Sequence, residues 1–500
     1  MPKTSSHFTP SLIITYILGL ACLVFTITKA TTSTFTYDEG FTFFYYLPQD
    51  FMRIFSFAAP YSANNHILSS LLIKYSQALF GSSELALRIP SLIAHIFYMW
   101  ITILLLKKIN PSILIPGFLL FNANPYLLDF YAIGRGYAPA ITLMMCSIYC
   151  WVKYRESEEK RWYIASIALA ATGAFSHFSL LLFVASLLLL HNYAALLSRK
   201  LNATSPKEFI VSALKWNKAN FIFLGVLLAV FYEPLRRSIQ YGLLYHGGDN
   251  GFWPDSILSL LQYSLFEASY AGWLLVPLSW FLLALLFIST VILITHIRFS
   301  INQIEKSRNW RSDFTLLFLF IIVISSLLNW LAGTFYPIDR GALFLYPLLI
   351  LITVTLLDKL SRVPGLRKAT WVLAMVAGLA CMFHTINTQN LHTFIHWKNH
   401  FDTPEMMLDL QAHSSGFTDD NPMHLGVDWI YYPVVNYHII ADELDWVDTV
   451  FTKGIMGSED MIYVSKENVL KYEKLGYQVV KNYANTQTSL MQGISVDSLD

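Results

Sequence analysis

Residues 11–40 read SLIITYILGLACLVFTITKATTSTFTYDEG, an apolar segment followed by two adjacent carboxylates, Asp38 and Glu39. The apolar part, near residues 11–29, has the length of a membrane-spanning helix. Charges are costly close to hydrocarbon, so a pair of acids at the end of such a segment is a candidate functional site. The alternative interpretation is that the two acids only cap or solvate the start of a surface helix.

The composition of the chain is that of an α-helical polytopic membrane protein. Of its 500 residues, 55% are hydrophobic and 13% are charged, and the mean hydropathy is +0.47. The apolar residues are gathered into runs long enough to cross a bilayer. These runs predict about eleven transmembrane helices, near residues 11–29, 84–106, 111–122, 137–152, 162–176, 178–197, 219–232, 271–296, 313–333, 342–357 and 369–386.

The distribution of Lys and Arg gives these helices an orientation. Only Lys3 precedes the first span, and no convincing small-residue cleavage site follows it, so we interpret this span as a retained helix. With the N-terminus in the cytoplasm, the basic residues fall in five successive cytoplasmic loops, as the positive-inside rule requires. Asp38 and Glu39 then face the outside. The external loops are 30–83, 123–136, the turn around His177, 233–270, 334–341 and the tail.

After residue 386 the chain becomes soluble in composition and acidic, with 16 Asp and Glu against 5 Lys after position 401. We predict a transmembrane domain over residues 1–386, with its site in the external loop 30–83, and a small extracytoplasmic α/β domain over residues 387–500. The tail contains strand patterns at 423–427, 461–464 and 477–480, and helical patterns at 404–411, 429–439 and 466–475.

Several common kinds of site are missing from the sequence. All four cysteines lie in apolar spans, so neither disulfides nor a cysteine zinc site is expected. The sequence has no G-x-G-x-x-G and no Walker A motif, which argues against cytoplasmic nucleotide binding of those kinds. We also expect no nucleic acid partner. From the residues alone, a hydrolase, a transporter and a transferase with a lipid-carried donor remain open.

A series of short motifs in the first third of the chain narrows this choice. In order, they resemble the GT-C membrane glycosyltransferases of the protein O-mannosyltransferase and aminoarabinose transferase kind, over roughly residues 10–200. Where relatives often have a His-Pro-Pro-Leu type sequence, however, this chain has His66-Ile67-Leu68. The motifs are Asp38-Glu39, Asn64-Asn65-His66-Ile67-Leu68, Leu79-Phe80-Gly81, SELALRIPS at 83–91, Asn124-Pro125, Ile133-Gly134-Arg135-Gly136-Tyr137-Ala138 and, later, Tyr336-Pro337-Ile338-Asp339-Arg340 with Tyr346-Pro347.

The resemblance implies transfer of a sugar from a polyprenyl phosphate to an acceptor in a glycan, lipid or protein. It places the reaction on the extracytoplasmic face of a plasma membrane, the inner membrane of a bacterium, usually with inversion. Because the acceptor hydroxyl must lose a proton as it attacks, Asp38 is the predicted general base. Arg135 and Arg340 are predicted to hold the donor phosphate. Either arginine has an alternative interpretation as an interfacial anchor.

Glu39 is included in the predicted catalytic site with its role left open. It would orient the acceptor, pair with an arginine, or bind a metal together with Asp38. Some GT-C relatives use a divalent cation and others do not, and we predict no obligatory metal. Asn65, His66 and Tyr137 are predicted to bind substrate, with a structural role for His66 kept as an alternative.

Other polar residues have mainly structural interpretations. Arg88 is predicted to pair with Glu84 one turn away and is left out of the site. His177 is interpreted as structural, and Glu233 has an alternative interpretation as a residue facing the cavity. The turn-rich loop 247–251 is interpreted as flexible surface, with a mobile lid as the alternative.

Two other classes of function remain as alternatives. A transporter or flippase of lipids or glycans is expected to have charges in the middle of its helices and repeated halves. Neither feature appears in this sequence. A receptor or assembly protein that uses its membrane part only as an anchor does not account for eleven spans with external motifs in the first third.

Overall fold

A computed structural model of the protein describes residues 10–58, 62–202, 206–244, 246–302, 310–450 and 454–493. Over these residues the chain is mostly helical, with one small sheet close to the C-terminus. Its helices are α1 Pro10–Thr32, α2 Tyr37–Phe41, α3 Phe51–Ser56, α4 Ile67–Phe80, α5 Glu84–Ile109, α6 Leu114–Asn122, α7 Pro125–Ala132, α8 Tyr137–Ser157, α9 Lys160–Ser176, α10 Leu180–Asn202, α11 Pro206–Gln240, α12 Ser259–Ser264, α13 Ala271–Asn302, α14 Asp313–Ala332, α15 Leu345–Ser361, α16 Arg367–Thr388, α17 Thr403–Ala412, α18 Tyr432–Ala441 and α19 Lys466–Glu473. The strands are β1 Leu425–Val427, β2 Met461–Ser465, β3 Tyr477–Tyr483 and β4 Thr488–Gly493.

The predicted spans all fall in helical segments, but fewer of them meet a strict test for crossing a bilayer. In the described part of the chain, five helices are long and apolar enough, within α1, α5, α13, α14 and α16. A pair bent by 67°, Pro111–Asn122 and Pro125–Ala132, raises the number to six. The bend follows from the sequence, because Pro125 disfavours continuation of α6 and Asn124 caps α7 by accepting the Leu127 N–H.

The loops predicted to be cytoplasmic contact one another at one end of the helices. Arg311 forms an ion pair with Asp358 at 3.0 Å and donates to the carbonyl of Lys108 at 3.2 Å. Arg155 forms an ion pair with Asp313 at 3.1 Å. Four basic loops that are distant in sequence therefore share one end of the helical body.

The tail contains a four-stranded sheet with the strand order β1-β2-β4-β3. β1 is parallel to β2, and the β2–β4 and β4–β3 pairs are antiparallel. The first three strands overlap the strand patterns of the sequence. β4 is missing from the prediction, because its sequence, TSLMQG, has no clear alternation of apolar and polar residues.

The tail packs directly on the first loop, which is predicted to be external. Phe35 stacks on Tyr437 of α18 with ring centroids 3.8 Å apart, and the Tyr437 hydroxyl donates to the carbonyl of Ser82 at 3.0 Å. At the end of the DEG motif, a Cβ on Gly40 would lie 2.5 Å from the backbone oxygen of Pro433. Only glycine permits this approach, so residue 40 fixes the distance between α2 and α18.

The segment that leads from α16 into the tail is held by a buried ion pair. Lys29, at the end of α1, donates to the carboxylate of Asp129 in α7 and to the side-chain oxygen of Gln389 at 2.8 Å. Asp129 also accepts the backbone N–H of Ile395 at 2.9 Å. Neither Lys29 nor Asp129 is among the predicted functional residues. Their contacts hold residues 389–395 against the helices and so position the residues that follow.

Candidate functional site

A cavity of about 550 Å³ lies beside Asp38, within the usual size range of small-molecule sites. Three parts of the chain form its wall: the first loop, which follows α1, the ends of several helices, and the tail. The first loop contributes Tyr37, Asp38, Phe57 and residues 62–66; the helix ends and their loops contribute Arg135, Tyr137, residues 175–179, Ser238, Leu243, Leu244, His246, Pro337 and residues 339–341; the tail contributes His396, Trp397, Asn399, His400, Trp429 and Ile430.

A capping box at the start of α2 turns the two adjacent acids in different directions. The Thr36 hydroxyl accepts the N–H of Glu39 at 3.3 Å, and the Glu39 carboxylate accepts the N–H of Thr36 at 3.2 Å. Thr36-x-x-Glu39 therefore has the sequence and the geometry of this motif. The capping interpretation applies to Glu39, whereas Asp38 lines the cavity.

Asp38 forms ion pairs with both predicted arginines. Its Oδ2 atom lies 3.2 Å from Nη2 of Arg135 and 3.1 Å from Nη1 of Arg340. Burial alone would raise the pKa of Asp38, but the two guanidinium groups, helped by a hydrogen bond from Asn64, hold this pKa below its usual value. Asp38 is therefore ionised at neutral pH, in spite of being buried.

Arg135 is buried, and both terminal nitrogens of its guanidinium contact the protein. Its Nη2 atom donates to the side-chain oxygen of Asn64 at 2.8 Å and to Nε2 of His66 at 2.9 Å. Because Nε2 of His66 accepts, its Nδ1 carries the proton and donates to the carbonyl of Ser176 at 2.8 Å. Burial, followed by the charge of Arg135, lowers the pKa of His66 well below its usual value. The neutral imidazole thus orients Arg135 without adding positive charge.

Arg340 is the more accessible of the two arginines. A quarter of its side chain is exposed, compared with 2% for Arg135, and its guanidinium lies 5.3 Å from the centroid of the Trp397 ring. The preceding residue, Asp339, has a φ of +51°, which a non-glycine residue rarely adopts. Its N–H donates to the hydroxyl of Ser259 at 3.0 Å. This left-handed turn is held by the fold and directs Arg340 towards Asp38.

Glu39 is turned away from the cavity and binds the chain that carries Arg135. Its carboxylate accepts two bonds of 2.8 Å from Arg88 and the N–H of Gly134 at 2.7 Å. The sequence left three roles open for Glu39, and in the structure it pairs with an arginine, Arg88. The Glu39 carboxylate also lies beside the residue that precedes Arg135, and its predicted place in the catalytic site stays a prediction. Arg88 does contact Glu84, as predicted, but at 3.3 Å and as a secondary partner.

The asparagines at the predicted substrate-binding position of the first loop make different side-chain contacts. The amide of Asn65 donates to the carbonyl of Ile54 at 2.8 Å and accepts the Ser70 hydroxyl at 3.3 Å, so it mainly holds the loop. The preceding residue, Asn64, instead contacts Arg135. Two adjacent asparagines cannot be told apart by sequence, because the turn of the loop decides which of their side chains meets Arg135. Tyr137 lines the cavity and packs against the ring of His66.

Four further histidines line the cavity: His177, which is interpreted as structural from the sequence, and His246, His396 and His400, which are missing from the prediction. Burial is the main cause that lowers the pKa of His177, His396 and His400 to about 3, and it also lowers the pKa of His246. They are therefore neutral hydrogen-bonding groups. Within the described residues, no group of three or more His, Cys, Asp or Glu side chains is arranged to hold a metal ion.

Two parts of the chain that the sequence leaves open, Glu233 in α11 and the loop 247–251, have defined contacts. Glu233 accepts hydrogen bonds of 2.8 and 2.6 Å from Arg236 and Arg237 and is not part of the cavity wall. In the loop 247–251, Gly248 and Tyr336 exchange backbone hydrogen bonds of 3.1 and 2.8 Å. This loop is thereby attached to the segment that precedes Arg340, which differs from the predicted flexible surface.

The chain matches a known family over a third of its length. The family model, described as dolichyl-phosphate-mannose-protein mannosyltransferase, aligns with residues 65–231, a segment that includes His66, Arg135 and Tyr137. The predicted resemblance to GT-C membrane glycosyltransferases is confirmed. The match begins after Asp38 and ends before Arg340, so the family model does not cover these two residues. Their predicted roles rest on the contacts that they make at the cavity.

Two solved structures of ArnT from Cupriavidus metallidurans are similar to this chain, one bound to undecaprenyl phosphate and one in the apo state. Both are 11% identical to it, and the alignments cover 97% of this chain and 98% of theirs. The TM-scores are 0.47 and 0.45. A comparison with curated protein sequences gave no match.

Proposed function

We propose that the protein is an integral-membrane glycosyltransferase that moves a sugar from a polyprenyl phosphate to an acceptor hydroxyl. The observation that carries this proposal is the carboxylate of Asp38 at the wall of the cavity, 3.2 and 3.1 Å from two arginines. The carboxylate accepts a proton from the acceptor hydroxyl, and the arginines stabilise the negative charge of the departing phosphate. The acceptor hydroxyl belongs to a glycan, a lipid or a protein.

In the proposed reaction, the acceptor oxygen forms a bond to the anomeric carbon of the donor sugar. The bond from that carbon to the phosphate oxygen breaks, and its electron pair leaves with the polyprenyl phosphate. The proton of the acceptor hydroxyl passes to Asp38. Attack from the face opposite to the phosphate inverts the anomeric centre, and the reaction needs no obligatory metal ion.

The two arginines have different roles in this proposal. Arg135 is buried and donates to Asn64 and His66, so it orients Asp38 and contributes a fixed positive charge. Arg340 is partly exposed and has a planar donor group suited to phosphate oxygens. A phosphate that binds Arg340 competes with Asp38 for its guanidinium. Because that guanidinium lowers the pKa of Asp38, donor binding makes Asp38 a stronger base at the moment of transfer.

The proposed topology has eleven spans, a cytoplasmic N-terminus and an extracytoplasmic domain over residues 387–500, in a bacterial inner membrane. The contacts among the basic loops support it, since these loops share one end of the helical body. Helix α5 carries Arg88 near its first turn and Lys107 and Lys108 in its last turn. It thus connects the neighbourhood of Asp38 to the basic end, and the positive-inside rule makes that end cytoplasmic.

The decisive test is sugar transfer by Asp38→Asn in lipid nanodiscs, with a series of undecaprenyl-phosphate-linked sugars as donors and membrane extracts of the host as acceptors. The variant should fold and insert but lose transfer, because an amide cannot accept the proton. Asp50→Asn is the matched control: Asp50 is an exposed acid in the same loop, and asparagine can replace it as the cap of α3. Full transfer by Asp38→Asn would remove the catalytic assignment.

Deletion of the gene in its host tests the same proposal without knowledge of the sugar. A transferase that has lost its function should leave one lipid-linked sugar in excess and one glycan, lipid or protein without a sugar residue. Accumulation of the lipid-linked sugar on the cytoplasmic side alone would instead indicate a flippase.

A further inference from the structure

Trp429 has an exposed aromatic ring in the wall of the cavity. Its relative exposure is 65%, whereas the neighbouring tyrosines in the tail, Tyr431 and Tyr432, are 3% and 6% exposed. A large aromatic side chain beside a polar site, with little of its surface covered, has the form of a binding surface.

The Trp429 ring has an aromatic neighbour, Tyr37, and the residue before Trp429 is anchored by hydrogen bonds. The indole meets the edge of the Tyr37 ring at a centroid distance of 5.9 Å and an angle of 77°. The residue before it, Asp428, accepts the N–H of Ser465 at 2.7 Å and the side-chain amide of Asn468 at 3.0 Å. Because Tyr37 directly precedes Asp38, a ring stacked on this pair lies close to the proposed base.

Neutral hydrogen-bonding groups of the tail border the same part of the cavity. Asn399 and His400 lie in its wall together with Trp429. His400 is fully buried, and neither of its ring nitrogens has a hydrogen-bond partner among the residues that the structure describes. Leaving such polar atoms unpaired is costly, so a donor and an acceptor in this position are suited to a polar ligand.

We propose that Tyr37 and Trp429 form the acceptor subsite and that the acceptor group they bind is the pyranose ring of a carbohydrate. Such a ring offers an apolar face to stack on the indole and hydroxyl groups around its edge for neutral partners such as Asn399 and His400. This inference rests on the proposed transferase function and specifies its acceptor as a glycan or the sugar part of a glycolipid.

The test measures binding directly, by saturation-transfer NMR of methyl glycosides to the full-length protein. Nanodiscs are required, because detergents with sugar headgroups would compete. The probes are the methyl glycosides of glucose, mannose, galactose and N-acetylglucosamine, and a capped Ser/Thr peptide is the comparison. We expect at least one glycoside to bind, Trp429→Ala to weaken its binding about tenfold, and Trp429→Phe to retain part of it.

Trp330→Ala is the matched control, because Trp330 is 79% exposed at the end of α14 and is not part of the cavity wall. It should leave glycoside binding unchanged. Absence of binding by all four glycosides, equal binding by Trp429→Ala, or binding of the peptide alone would overturn the proposal. Binding does not depend on turnover, so this result is separate from the Asp38→Asn transfer assay, which tests the proposed function itself.

Discussion

Asp38 is held by two arginines of unequal freedom, and this predicts how transfer depends on pH. Since their charges keep the pKa of Asp38 below its usual value, the ratio kcat/KM for the donor should stay nearly constant as the pH falls from neutral to about 5. In Arg340→Gln, the loss of one positive charge raises the pKa of Asp38. The decline in acid should then begin at a higher pH, together with a higher KM for the donor.

Transfer rates measured from pH 4 to 8 in nanodiscs check this prediction. Arg53→Gln is a control for the loss of a positive charge, because Arg53 lies on the exposed surface of the same external loop. A decline already near neutral pH in the unmodified protein, or the same profile in Arg340→Gln, would show that Arg340 does not set the basicity of Asp38.

A second prediction concerns Glu39, whose carboxylate is buried with Arg88. Glu39→Gln leaves the Arg88 guanidinium without its main counter-charge, and breaking a buried pair in this way costs about 3–5 kcal/mol. We expect a clear fall in the unfolding temperature and a loss of transfer, because the N–H of Gly134 also loses a charged acceptor.

Glu84→Gln is the comparison for this variant. It removes the longer contact to the same arginine, from a carboxylate whose side chain is 24% exposed, and should cost about 1 kcal/mol or less. Thermal unfolding in nanodiscs measures both variants. Equal effects would mean that Glu39 is no more important to Arg88 than Glu84 is.

At the scale of elements, the contact between α2 and α18 brings the tail to the site. Gly40→Ala places a methyl group 2.5 Å from the Pro433 oxygen, so the two helices must separate. Helix α2 carries Tyr37 and Asp38 of the cavity wall, and α18 begins two residues after Ile430 of that wall. We therefore expect transfer to fall on the order of 10²-fold. Gly225→Ala is the control, since its added methyl group meets nothing within 4 Å. Unchanged transfer in Gly40→Ala would show that this contact does not shape the cavity.

The same elements show which features follow from local sequence. The motif Thr36-x-x-Glu39 starts a helix because both capping bonds are local, and Pro125 after Asn124 gives a bend for the same reason. The identity of the asparagine that meets Arg135, in contrast, depends on the path of the chain from Ser62 to His66 and on the distant Ser176. Local sequence determines the first kind of feature and not the second.

At the scale of the whole molecule, the proposed orientation can be tested by labelling single cysteines. In a protein whose four native cysteines are replaced by alanine, a membrane-impermeant maleimide should label Glu473→Cys in the tail of intact cells. It should label Lys160→Cys, in a predicted cytoplasmic loop, only after the membrane is permeabilised. Both positions are exposed. Labelling of Lys160→Cys in intact cells, or protection of Glu473→Cys, would reverse the topology and place Asp38 in the cytoplasm.

Composition and local pattern were enough to predict several features of this protein. Apolar runs of bilayer length give a helical membrane protein, a composition change at residue 386 separates the tail, and ordered motifs around Asp38 and Arg135 give the resemblance to GT-C glycosyltransferases. These signals are read from neighbouring residues, because hydrophobic length, helix caps and charge runs act over short distances.

Which distant side chains meet depends on the tertiary packing. It separated the two adjacent acids, with Asp38 between Arg135 and Arg340 and Glu39 bound to Arg88. It also added the tail to the cavity through His396, His400 and Trp429, none of which carries a motif. Buried charges and hydrogen-bonding groups need partners. In this protein, packing brings those partners from positions up to several hundred residues away, and no local pattern encodes that packing.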